Sequence, residues 1–204
     1  MQSFSKPDKN KKHSQFELFK SIETFTSKSF YIEDFEHSRL SLIEWRQKIY
    51  NYQRKILIDP QNLSIQNSFI KTQNADNYFR KINPFLLTSF SINFWRSNKS
   101  VDKGPAMYFV VETIKDAQII LYIGETNSAD QRWKGEHDCK TYINNYKEAI
   151  SNNNLESNLD IRFFLDVPKD VKLRRNLEKQ LIYLWLPPFN KETKDRWQTT
   201  FTNN

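Results

Sequence analysis

Residues 107–123 read Met-Tyr-Phe-Val-Val-Glu-Thr-Ile-Lys-Asp-Ala-Gln-Ile-Ile-Leu-Tyr-Ile. Two apolar, β-branched and aromatic runs, Met107–Thr113 and Ile119–Ile123, flank the polar Lys115-Asp116-Ala117-Gln118. Runs this short favour strands over helices, and so short a connection joins them most simply as an antiparallel hairpin. Downstream, Tyr142, Tyr146, Ala149 and Ile150 recur at helical spacing within 138–150, and Ile161–Leu165 reads as a third strand. Asp170 then stands as the N-cap of a helix with the apolar stripe Leu173, Leu177, Leu181, Leu184 and Trp185, stopped by Pro187-Pro188. The order β-β-α-β-α predicts an α+β fold, a small three-stranded antiparallel sheet flanked by helices.

Upstream of the turn at Lys103-Gly104-Pro105 the pattern changes. Residues 1–16 have the composition of a flexible basic arm. Ser41 with Glu44 has the spacing of a capping box, followed by Leu42, Trp45, Ile49, Tyr52 and Ile56 every three or four residues, with Pro60 beyond the end. Residues 59–80 form a polar connector, and Phe90, Ile92 and Phe94 alternate with Ser91 and Asn93 as in a strand. Two regions are therefore expected: a basic, largely helical N-terminal elaboration (1–103) and a second domain (104–204).

The 204 residues are 38% hydrophobic and 15% aromatic, enough for a packed core. No apolar run approaches the ~18–20 residues that span a bilayer, and the first twelve residues lack the apolar segment of a secretory signal. A cytoplasmic protein without a membrane partner is expected. The single cysteine, Cys139, excludes an intramolecular disulfide framework and a multi-Cys zinc site. Only three glycines occur, at 104, 124 and 135, and their spacing fits neither a Walker loop nor a dinucleotide fingerprint. The net charge is +7, and residues 1–103, with 17 Lys+Arg and 10 Asp+Glu, hold all of the excess. A basic half of this kind attracts polyanions, commonly a phosphate backbone.

Six polar residues stand apart from a core-and-surface account. Tyr108 and Tyr122 lie on the two hairpin strands. Arg132 and His137 fall in Gln-Arg-Trp-Lys-Gly-Glu-His-Asp. Glu178 lies one position off the apolar stripe of the last helix, and Asn190 follows its Pro-Pro stop. Singly, each has a plain structural reading: strand packing, surface charge, a helix cap, or an ion pair of Glu178 with Arg174 at i−4. Together, and in this order, Tyr108, Tyr122-Ile-Gly124, Arg132, His137, Glu178 and Asn190 resemble the GIY-YIG nuclease superfamily. The fuller stretches Tyr122-Ile-Gly-Glu-Thr, Arg132-Trp-Lys-Gly-Glu-His-Asp-Cys-Lys and Pro188-Phe-Asn190 are closest to its restriction-endonuclease branch. The resemblance covers residues 104–197, with Ala106-Met107 in place of the Gly-Ile of the first motif.

What the resemblance implies is a Mg²⁺- or Mn²⁺-dependent endonuclease acting on double-stranded DNA. Tyr108 would activate water with help from His137, Tyr122 would orient the phosphate or water, and Arg132 would hold phosphate oxygens. Glu178 would be the metal ligand, and Asn190 would support the site or contact backbone. The chemistry is coherent in its own terms. One carboxylate suits Mg²⁺ held by a single protein ligand, waters and a substrate phosphate, and a guanidinium fork matches phosphate. A free Tyr is only about 1% phenolate at pH 8, so Tyr108 needs a base or a nearby positive charge. The Asp…Glu-x-Lys arrangement of other restriction enzymes can be placed on Asp170 with Glu192-Thr193-Lys194, but that triplet follows the Pro-Pro stop instead of lying on a strand. The alternatives are a repair or mobile-element nuclease of the same type, or a non-catalytic DNA-binding protein retaining the fold. Double-strand cutting by one active site would need a homodimer on DNA or sequential nicking.

Overall fold

The computed structural model describes residues 38–59, 78–96, 103–132 and 138–198. The chain divides into two compact units, residues 1–41 and 42–204. The second unit takes in 42–59 and 78–96 together with the hairpin region. Its elements are α1 (38–58, beginning in the first unit), α2 (Tyr78–Lys81), β1 (Ser89–Ser91), β2 (Ala106–Ile114), β3 (Ala117–Thr126), α3 (Asp138–Asn152), β4 (Asn158–Phe164) and α4 (Val171–Trp185). No helix among the described residues is long and apolar enough to cross a membrane.

The fold is α+β with an antiparallel sheet, but the sheet has four strands, not three, in the order β1-β4-β2-β3. The additional strand falls where Phe90, Ile92 and Phe94 alternate. Only Ser89–Ser91 joins the ladder, pairing with Asp160–Arg162 on the otherwise open edge of β4. The chain then turns as Ser91 Oγ accepts a hydrogen bond from Asn93 N, and Phe94 enters a short 3₁₀ turn, Phe94–Arg96. Phe94 stays buried there, its ring 5.2 Å from that of Phe163. The alternation thus recorded burial of apolar rings, not a longer strand.

The β2–β3 hairpin closes over Lys115 and Asp116, with Ile114 opposite Ala117 and Lys115 at φ 55°, as a primed two-residue turn requires. The register runs Tyr108↔Gly124 and Val110↔Tyr122, then shifts so that Val111 faces Ile120. Leu121 is the extra residue of this bulge. Because of it, Leu121 and Tyr122 both pack on the face of the sheet that α3 covers, while Ile120 and Ile123 pack on the face covered by α4. The bulge therefore puts Tyr122 on the same face as Tyr108.

Two cores lie on opposite sides of the sheet. One holds Tyr108, Val110, Leu121 and Phe163 against Tyr142, Ile143 and Tyr146 of α3. The other holds Phe109, Val111, Ile120 and Ile123 against Leu177, Leu181 and Trp185 of α4. Helix α1 gives Ile49 to the first and Ile56 to the second. Ser41 lies inside this helix and so does not cap it, which corrects the expected start. Asp170 does cap α4, accepting from Leu173 N at 2.9 Å. Leu173 itself is 61% exposed, so the buried stripe begins at Leu177. Leu186 ends the helix in the left-handed region at φ 47°, just before Pro187-Pro188.

Strand β3 is an edge, and an edge exposes unpaired backbone groups. Two side-chain amides cover it as a fifth strand would. Gln53 of α1 donates to Ile120 O at 3.0 Å and accepts from Ile120 N at 2.7 Å. Asn190 donates to Ile123 O at 2.8 Å and accepts from Ile123 N at 2.9 Å. Across the sheet, Arg46 reaches the buried Glu112 at 2.5 Å and Tyr146 Oη at 2.7 Å, and Tyr146 donates to Glu112 at 2.7 Å. This closed network ties α1, β2 and α3 together with its buried charges paired.

Candidate active site

Tyr108 is fully buried on β2. Its ring lies across Gly124 of the neighbouring strand. A Cβ at position 124 would come within 2.3 Å of Tyr108 Cζ and Oη. Glycine is needed there for close approach, since the absence of a side chain is what admits the ring. Tyr122 stacks on the same ring, with centroids 5.9 Å apart and planes 26° from parallel. Arg132, in the segment after β3, donates to Tyr108 Oη from Nε at 3.1 Å and from Nη2 at 3.0 Å, its guanidinium 5.4 Å from the ring centroid. Tyr108, Tyr122 and Arg132 are thus brought together by the hairpin register, the bulge and a glycine.

Burial pushes the Tyr108 phenol well above its ordinary value, and Arg132 pulls the other way without prevailing. Tyr122 is raised for the same first reason, desolvation. Cys139, at the start of α3, is buried in the same core cluster as Tyr108, and burial pushes its thiol up too. In this state the tyrosines are phenols at neutral pH. Arg132 offers the positive charge that the sequence reading asked for. His137 lies outside the described residues.

Glu178, on α4, accepts a hydrogen bond from Glu125 N at 3.1 Å through Oε1. Burial raises its carboxyl to about 7, with Glu125 and Glu192 adding repulsion while the Glu125 amide and Arg132 oppose the shift. The expected partner at i−4, Arg174, engages other groups. It is fully buried, donates to Glu125 Oε2 at 2.8 Å, to Pro168 O at 3.1 Å and Lys169 O at 3.2 Å, and bonds the Asn127 amide oxygen. Arg174 therefore fixes Glu125 and Asn127 at the end of β3, and Glu125 in turn offers its amide to Glu178. The sequence named Arg174 only as an ion-pair partner. Glu125 enters the sequence pattern only within Tyr122-Ile-Gly-Glu-Thr, and its place directly after Gly124 is the signal that marks it.

Asn190 does not face the tyrosines. It clamps Ile123, one residue from both Tyr122 and Gly124, and so acts on the strand that carries them.

Among the described residues no three His, Cys, Asp or Glu side chains gather as a metal cluster. Glu178 still fits a divalent cation of the kind that keeps most of its waters and takes one protein carboxylate. Its carboxyl is held by one backbone amide and raised by burial and negative neighbours, which is the electrostatic situation a cation relieves.

No family model matches the chain, and no curated protein or solved structure matches it either.

Proposed function

We propose that the protein is a divalent-metal-dependent endonuclease of the GIY-YIG type that hydrolyses phosphodiester bonds in double-stranded DNA, and that its nearest functional class is restriction. The observation that carries this reading is the convergence of Tyr108, Tyr122 and Arg132 across Gly124 on one face of the hairpin. A guanidinium bonded to a buried phenol, beside a second phenol, is more polar chemistry than strand packing needs.

Each residue then has a task. Arg132 holds phosphate oxygens and balances charge developing on them, as a planar donor fork does well. It also stabilises negative charge on Tyr108, so that once the hydroxyl has passed its proton to His137 the phenolate can take one from the attacking water. Tyr122 positions the phosphate or the water. Glu178 would hold Mg²⁺ or Mn²⁺, which when bound supplies Lewis-acid stabilisation of the phosphate and its leaving oxygen. Arg174 and Asn190 keep β3 in place.

The test is direct. Purified protein is incubated with a plasmid library in Mg²⁺, Mn²⁺ or EDTA, and any new ends are sequenced. Metal-dependent ends at a defined sequence support a restriction nuclease. Scattered or structure-dependent ends favour the repair or mobile-element class. Duplex binding without cleavage in either metal refutes the catalytic reading.

A further inference from the structure

Helix α3 and the chain around Phe94–Arg96 line an open groove of about 260 Å³. Its polar lining is Asn93, Arg96, Lys140, Asn144 and Lys147. Lys140, Asn144 and Lys147 recur at i, i+4 and i+7, so they form one stripe along α3. A second hollow of about 370 Å³ adjoins it, sharing Ile92 and Lys147, and adds Ser151, Ser157 and Asn158. No Asp or Glu among the described residues lines either one. From Lys140 to Ser151 the helix rises roughly 16 Å, the axial advance of about five nucleotides in one strand of a duplex. Lys140 follows Cys139, which packs in the same core cluster as Tyr108, so the stripe starts at the end of α3 that meets the candidate active site.

We propose that this groove seats the sugar–phosphate backbone of one strand of duplex DNA flanking the cleaved bond. Arg96, Lys140 and Lys147 neutralise successive phosphates, and the amide and hydroxyl side chains between them donate hydrogen bonds. Three cations from two separate elements face the same concavity, whose described lining holds no carboxylate, and that charge matches a polyanion and no neutral ligand. Such contacts fix register on the duplex without reading sequence. The groove's role rests on the DNA reading above.

The test is fluorescence anisotropy of the full chain with a labelled duplex in Ca²⁺, across a range of salt. Arg96→Gln with Lys147→Gln is compared with wild type and with a control pair of equal charge change, Lys55→Gln with Lys172→Gln. Removing two phosphate contacts should lower the slope of log affinity against log salt by about 1.8 and weaken binding about tenfold on any sequence. The control should do neither. Lys147→Gln alone, on the exposed side of α3, should lower the slope by about 0.9, which guards against misfolding of the pair. An unchanged slope in the Gln pair, or an equal fall in the control, overturns the groove and leaves the nuclease reading standing. Failure of the wild-type protein to bind duplex in Ca²⁺ overturns both.

Discussion

Replacing Gly124 by alanine tests the geometry on which the candidate site depends. The new Cβ would meet Tyr108 Cζ and Oη at 2.3 Å and Cε1 at 2.7 Å. Carbon atoms in contact sit about 3.5–4.0 Å apart, so the ring must retreat by roughly 1 Å or more. It has little room to do so. The ring is fully buried, stacked on Tyr122 and 6.4 Å from the Phe163 centroid. Overpacking of this kind costs roughly 1–3 kcal/mol, which for a chain of this size lowers Tm by roughly 2–4 °C per kcal/mol. A retreat of that size also breaks the 3.0 and 3.1 Å bonds from Arg132. Misplacement of a reacting group by ~1 Å can cost about 10²-fold in rate. Gly124→Ala should therefore lose more activity than stability, read as plasmid cleavage at a temperature well below its Tm. In a Tyr108→Ala background, Gly124→Ala should cost little further Tm, because the side chain that clashes is gone, and activity should stay lost. Wild-type Tm and wild-type cleavage in Gly124→Ala would refute the close approach and the positioning built on it.

Asn190→Leu strips both backbone partners from Ile123 and should cost roughly 1–3 kcal/mol for each buried group left unpaired, measured by urea unfolding; a variant as stable as wild type would mean that the β3 edge needs no clamp. Arg174→Leu leaves the Glu125 carboxylate without its buried partner and should destabilise by about 3–5 kcal/mol, whereas a loss below about 1 kcal/mol on the same assay would show the pair to be solvated. Glu178 supplies a pH dependence. Its carboxyl sits near 7 in the folded chain against an ordinary 4.5, so the stabilisation from holding it protonated is full below 4.5 and lost as pH rises through 7. Without metal, Glu178→Gln should gain Tm relative to wild type from pH 4.5 to 8, and a flat difference would count against the raised value. With metal, wild-type affinity for Mg²⁺ should fall about tenfold per pH unit below 7 and level off above it, because the cation displaces a proton.

The hairpin, β4, α3 and α4 were legible because their residues carry both periodicity and boundary signals. Asp170 caps, Leu177 to Trp185 stripe, and Lys115-Asp116 turn. The start of α1 is not legible, because Ser41 and Glu44 have capping-box spacing whether or not the helix begins there. Strand β1 was half legible. Its apolar alternation is real, but only tertiary pairing with β4 decides where the ladder stops. In the site, Tyr108, Tyr122 and Arg132 were named from their order along the chain, and the structure brings them together. Their union depends on a bulge at Leu121, which no local pattern marks. Arg174 was seen only as a neighbour on its own helix, because a pairing with Glu125, 49 residues away, is invisible to helical spacing. Gln53 and Asn190 guard an edge that exists only once the strand order is known.

Cleavage of supercoiled plasmid in Mg²⁺ by wild type, Tyr108→Phe and Glu178→Ala, with duplex affinity in Ca²⁺ and Tm taken on the same preparations, tests the nuclease reading most directly. Wild type should cut. Tyr108→Phe, which keeps the packed ring and loses only the hydroxyl, should fall by roughly 10²-fold or more. Glu178→Ala should lose metal-dependent cutting while binding DNA as well as wild type or better. Robust cutting by Glu178→Ala, or no cutting by wild type in either Mg²⁺ or Mn²⁺, would contradict it.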